Sequence, residues 1–310
     1  MKQFKTIAAV IAVVLFFIIY LFIPNKIVVT KDLIVPQSSA GVTRGLMNIQ
    51  YWDKWMPYKS IEGHSFLLEG GSLEVLESFL SSAKTIFKIE EFSTPVTFSA
   101  VASGKDSSLI RYEAVIDNRH VSPIQRIQDY WVSKKVKAQM NIVIEAAGKN
   151  YATTKGIYGF DITQDHVKDS VLATTHKIFA DTPSLVQLYK MIHELEAHVQ
   201  KNNGTIHGDP MVNITRLSEK EVFAQVAYPL AKSIPEANDI QIKKMVLGNI
   251  LTVKVVGNGN KVAHAFEETQ NYMHDRSKSS PAIPFVVYNT NRLQEADPKK
   301  WVSTIYYPVY

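Results

Sequence analysis

The second half of the chain carries one pattern twice, and this constrains its fold more than anything else in the sequence. The first copy opens with a strand near Val171–Phe179. A helix follows, with Leu185, Leu188, Ile192, Leu195 and Val199 on one stripe. Thr182 is placed to cap it, Pro183 to start it, and Gly204 to follow its end. Two strands complete the copy, one in Pro210–Ile214 and one in Val222–Leu230. The second copy repeats the order: strand Ile250–Val256, a Gly257–Asn260 turn, a helix face of Val262, Phe266, Thr269 and Met273, then Pro284–Tyr288 and Trp301–Val309. The endings match closely, Val226-Ala227-Tyr228-Pro229-Leu230 against Ile305-Tyr306-Tyr307-Pro308-Val309. A single strand–helix–strand–strand unit leaves an apolar sheet edge and face uncovered. Two copies are therefore expected to pack about a pseudo-two-fold axis.

This doubled unit resembles the GyrI-like small-molecule-binding domain, also called the effector-binding domain of bacterial transcription activators. The residues that carry the resemblance are the P-x-x-x-Y segment Pro284 to Tyr288 and the W-x-x-x-I-x-x-P-V segment Trp301 to Val309. The resemblance implies a groove between the two copies that takes hydrophobic compounds, often cationic or aromatic. By position, Tyr228, Tyr288, Trp301, Thr304 and Tyr306 are the candidate ligand-binding residues, with Tyr307 a further aromatic candidate. Many members carry a glutamate directly before the isoleucine of the last strand. Here that position is Thr304, and its counterpart in the first copy is Gln225. Without a carboxylate there, cation capture and general-base chemistry lose their obvious agent, which points to a neutral or weakly polar ligand.

The first half reads differently. A strand over Ile27–Val35 stops at Pro36, a short helical stretch leads into Trp52-Asp53-Lys54-Trp55-Met56-Pro57, and Val96–Ala100 and Ile110–Ile116 alternate as a hairpin. A long helix then begins at Ser122-Pro123 and is expected to end near Gly148, with Ile124, Ile127, Trp131, Val136, Met140 and Val143 on its apolar stripe. The strand, the W-x-x-W-x-P motif, the sheet and the closing helix resemble the START-like superfamily of polyketide cyclase and lipid-transfer domains (SRPBCC). The implied fold is α+β, a helix-grip domain with a cavity between sheet and helix. Trp52, Trp55 and Pro57 are read as core and turn residues.

At the N-terminus, Ile7–Ile23 holds no charged residue and would extend about 26 Å as a helix, close to the thickness of a bilayer's hydrocarbon core. The expected organisation is a transmembrane anchor over residues 1–25, a START-like domain over 26–149 and a GyrI-like domain over 150–310. Membrane contact through residues 7–23 would make this a single-pass protein with its soluble part on the extracytoplasmic side.

Composition removes several functions. The chain has no cysteine, which excludes disulfides, thiolate metal sites and a cysteine nucleophile. The net charge is +5, and from Tyr151 onward the chain is nearly neutral with 17 basic and 16 acidic residues, so no nucleic-acid partner is expected. His193 and His198 stand five apart, about 140° around a helix, and cannot share a metal as histidines four apart do. Gly257-Asn258-Gly259 lacks the remaining elements of a phosphate loop. No metal or cofactor is expected. The expected function is non-catalytic binding or sensing of a hydrophobic small molecule. The alternatives are a hydrolase or other enzyme acting on such a ligand, and a protein-interaction module with filled cavities.

Overall fold

The computed structural model describes residues 7, 13–14, 16–61, 64–167 and 171–310. The chain divides between Ile157 and Tyr158 into two compact units.

The first unit contains β1 (Lys26–Val35), α1 (Ser39–Met47), α2 (Trp52–Trp55), β2 (Lys59–Ser60), β3 (Ser65–Leu68), β4 (Gly71–Ser78), β5 (Ser82–Ile89), β6 (Phe92–Gly104), β7 (Ser107–Asp117) and α3 (Pro123–Tyr151). A short helix, α4 (Thr154–Tyr158), lies at the division. The sheet is antiparallel in the order β1-β7-β6-β5-β4-β3-β2. Its inner face packs under α1 and α3, where Val136, Met140, Val143, Ile144 and Ala147 are buried. Trp52 and Trp55 lie in the same core with ring centroids 5.0 Å apart, and Trp52 Nε1 donates to the Leu46 carbonyl at 2.7 Å.

Two expectations about α3 need correction. Its apolar stripe does not run the whole length, because Ile124 and Trp131 are 72% and 64% exposed. The inward positions of the first turns belong instead to Arg126 and Asp129. Arg126 is 1% exposed. It donates to the carbonyls of Ile23 (2.9 Å) and Asn118 (3.1 and 3.3 Å) and to Asn25 Oδ1, and it lies 4.1 Å from the centre of the Tyr20 ring. A buried guanidinium is tolerable when its donors are satisfied in this way. The second correction concerns the helix end. α3 runs through Gly148 to Tyr151. A Cβ at Gly148 would come within 3.0 Å of Leu33 Cδ1, so this glycine permits close approach of helix to strand rather than ending the helix.

The membrane expectation is also corrected. Among the described residues, no helix is long and apolar enough to cross a membrane. The end of the apolar run is held on the first unit, where the Tyr20 hydroxyl donates to the Val121 carbonyl at 3.3 Å and Tyr20 faces Arg126. Residues 8–12 and 15 of the apolar run lie outside the described residues. The single-pass, extracytoplasmic placement therefore does not stand.

The second unit contains β8 (Ile162–His166), β9 (Val171–Phe179), α5 (Leu185–Lys201), β10 (Met211–Ser218), β11 (Glu221–Leu230), β12 (Ile240–Lys244), β13 (Asn249–Val256), α6 (Gly259–Asp275), β14 (Phe285–Tyr288) and β15 (Val302–Val309). All eight strands form one antiparallel sheet in the order β12-β9-β11-β10-β14-β15-β13-β8. The order is palindromic in the repeat: β9-β11-β10 meets β14-β15-β13 at the β10–β14 seam. The short lead-in strand of each copy crosses to the other, β8 joining β13 and β12 joining β9. Helix α5 packs on β9 and β11, and α6 on β13 and β15, so both helices cover one face. The cap of α5 is Ser184, not Thr182. Ser184 and Gln187 form a reciprocal capping box, which satisfies two free donors where Thr182 would satisfy one.

Candidate functional site

Strand alternation assigns every residue near the seam to one of two faces. Ala224, Val226 and Tyr228 on β11, Val286 and Tyr288 on β14, and Ile305 and Tyr307 on β15 turn toward the helices, where most are buried. The intervening residues turn to the uncovered face. There the structure holds two adjoining cavities, of about 260 and 400 Å³, that share Val167, Met211, Met245 and Phe285 as walls. Leu172, Gln225, Ala227, Ile283 and Pro308 continue the first, and Ile250, Val287, Asn289, Pro229 and Tyr306 the second. The result is one groove over the seam, floored by apolar side chains. Phe285 and Tyr306 stack in it with centroids 5.2 Å apart and ring planes 14° apart.

The pairing register shows why the two cavities are related. Leu172 opposes Pro229 in the first copy as Ile250 opposes Pro308 in the second, and Met211 opposes Ala227 as Phe285 opposes Tyr306. Each cavity is thus built from equivalent positions of the two copies. The second copy places larger aromatics where the first has Met211 and Ala227.

Thr304 lies on the groove face, and its hydroxyl donates to Asn289 Oδ1 at 2.8 Å. Asn289 Nδ2 in turn donates to Asp209 Oδ2 at 2.9 Å. A carboxylate is therefore reached from position 304 through one amide, although the residue at 304 carries none. Asp209 and Asp165 both line the second cavity. Burial, and then the charges of Asp165 and Asp209, push the Tyr306 phenol above its ordinary value.

The other candidates lie elsewhere. Tyr228 is buried on the helix face, where its hydroxyl donates to Glu196. Burial first, and then the bond to Glu196, holds this phenol well above its usual range. Tyr288 is on the helix face too, with the Arg292 guanidinium 3.5 Å from its ring centre. Trp301 donates from Nε1 to the Glu295 carbonyl at 2.8 Å, and Arg292 lies 5.0 Å from its ring. Arg292 is itself buried and donates to Ser303 Oγ at 2.8 Å. Tyr288, Trp301 and Arg292 thus form a cluster behind the sheet, while Tyr306 and Thr304 face the groove. Tyr307 is buried near Phe266 of α6.

Met211, Met245, Phe285, Asn289, Asp165 and Asp209 line the groove without having been singled out in the sequence. Phe285 lies inside the P-x-x-x-Y segment, and its parity opposite Tyr288 was the available signal. Asp165 sits on β8, whose polar sequence gives little strand signature. Among the described residues, no group of three or more His, Asp or Glu side chains is arranged to hold a metal ion. His198 Nε2 lies 2.9 Å from the Pro235 carbonyl.

No protein-family model matches the sequence, and no curated protein matches it. Solved structures do show similarity. The C-terminal domain of EcmrR is 14% identical, with 49% of this chain and 98% of that one covered at a TM-score of 0.43. SAV2435, in a structure bound to tetraphenylphosphonium, is 13% identical over 48% of this chain and 94% of its own, at 0.32. A START superfamily protein from Mycobacterium smegmatis is 17% identical over 40% of this chain and 96% of its own, at 0.28.

Proposed function

We propose that the second unit binds a hydrophobic small molecule in the groove over the β10–β14 seam, and that the chain is a ligand-binding or sensing protein of the GyrI-like kind rather than a catalyst. The observation that carries this reading is the groove itself. A duplicated sheet has both helices on one face and, on the other, two adjoining cavities walled by Met211, Met245, Phe285 and Tyr306. Concave, mostly apolar sites with a few placed polar groups are the usual form of a small-molecule site. Methionines let such walls adapt to ligand shape, and the stacked Phe285–Tyr306 pair offers rigid aromatic area. The P-x-x-x-Y and W-x-x-x-I-x-x-P-V segments support the same reading, since both contribute to the strands beside the seam.

The non-catalytic part of the proposal is supported by the residue at position 304. The Thr304 hydroxyl donates to an amide oxygen, which is no base, so nothing there activates it as a nucleophile. Tyr306 and Thr304 are the proposed contacts among the residues singled out in the sequence. Tyr228 and Trp301 support the strands from behind, and Tyr288 lines a separate cavity of about 570 Å³ on the helix face with Val286, Phe266 and Arg292.

Fluorescence titration with Nile red, a neutral apolar dye, tests this. The unaltered protein should bind one dye per chain. Tyr306→Ala combined with Phe285→Ala should weaken binding by at least tenfold, about 1.4 kcal/mol. Tyr307→Ala, on the helix face, should change affinity far less. Dye binding indifferent to the groove pair would overturn the reading.

A further inference from the structure

The two halves of the groove have equivalent backbones but opposite charges. On the lead-in strands, Lys243 opposes Leu172 and Asp165 opposes Ile250, so Lys243 and Asp165 occupy the same place in the two copies. One position further along, Lys244 corresponds to His166. Two residues before the seam positions Met211 and Phe285 stand Asp209 and Ile283. The first cavity is thereby rimmed by Lys243 and Lys244, and the second by Asp165 and Asp209. Among the described residues, none of these four charged side chains makes an ion pair.

The four charges are segregated by cavity, both lysines at the first and both carboxylates at the second. Here the apolar floor of Met211, Met245 and Phe285 lies between a basic end and an acidic end. The acidic end also holds the Tyr306 ring, whose face adds to the attraction for a cation. Asp209 is oriented by the bond from Asn289, which fixes one carboxylate oxygen.

We propose that the groove takes a small molecule charged at both ends. Its apolar body lies over Met211, Met245 and Phe285, a cationic group at Asp165 and Asp209, and an anionic group at Lys243 and Lys244. This inference rests on the groove reading above and adds the ligand's chemical class and direction. All four charged residues are exposed at the rim, so each pairing is made with little desolvation and its strength falls with salt.

Isothermal titration calorimetry of the full chain with four probes of one body separates the possibilities: dodecanol, dodecylamine, dodecanoic acid and ω-aminododecanoic acid, each kept below its solubility limit and free of micelles. At low ionic strength the amino acid should bind at least tenfold more tightly than the alcohol, with the amine and the acid between. Lys243→Gln with Lys244→Gln should remove the gain due to the carboxylate and keep the gain due to the amine. Asp165→Asn with Asp209→Asn should do the reverse. If the alcohol binds as well as the charged probes, or only one of the amine and the acid gains, or both double variants shift all four probes alike, the two-ended assignment is overturned while the groove reading stands. If none of the four binds, the groove reading falls and this assignment falls with it.

Discussion

Tyr306 is where burial and charge act on one side chain. The groove walls disfavour its phenolate, and the carboxylates of Asp165 and Asp209 disfavour it further. The folded state therefore holds this proton more tightly than the unfolded chain, whose tyrosines titrate near 10. The resulting contribution to stability is complete below that pH and is lost as pH rises through the raised folded value. Asp209→Asn should move the Tyr306 titration down toward its ordinary value. The check is tyrosinate absorbance, taken as the difference from Tyr306→Phe. A phenol that titrates normally, or that ignores Asp209, would contradict the acidic end of the groove. At this scale the sequence was least legible. Tyr306 and Tyr307 are neighbours of the same type, and both faces of β15 carry apolar residues, so alternation alone could not say which one faces the groove. The missing acid at Thr304 was readable, but its replacement was not. Asp209 reaches position 304 only through Asn289, far away in sequence.

At the scale of elements, strong periodicity was a good guide and weak periodicity was not. β1, β9, β11, β13 and β15 lie within a residue or so of expectation. The lead-in strands β8 and β12 were missed because ITQDH and IQIKK are short, polar edge strands. They nevertheless carry Asp165 and Lys243. The end of α3 was misplaced because a glycine near a helix terminus serves as a cap more often than as a packing site. The two roles predict different behaviour. Gly148→Ala should be nearly neutral, since alanine's helix preference of about 1 kcal/mol offsets a small shift of the Leu33 methyl. Gly148→Val should cost about 1–3 kcal/mol by overpacking against β1. Urea denaturation of the two variants decides the matter. An alanine as costly as the valine would contradict the close-packing role.

At the scale of the whole molecule, the division between Ile157 and Tyr158 leaves each unit with its own sheet and its own core. We propose that the two fold independently. Proteins ending at Ile157 and beginning at Tyr158 should each show a cooperative thermal transition, and a failure of either half to fold alone would refute this. The repeat made the second unit's architecture legible early, because each copy must cover the other's open edge. The first unit was legible as a long helix over a hairpin-rich sheet, but its tie through Arg126 to residues 20–25 was not. An arginine in the first turn of a proline-started helix looks like a surface charge until its partners are seen.

The central claim is that ligand binds over the β10–β14 seam of the second unit. Amide hydrogen exchange on the full chain, with and without Nile red, locates the site directly. Bound dye should slow exchange in the strands and loops of the groove, at residues 206–212, 243–251, 283–289 and 302–308, and leave residues 26–157 unchanged. Protection confined to the first unit, or confined to α5 and α6 on the other face of the sheet, would contradict the account.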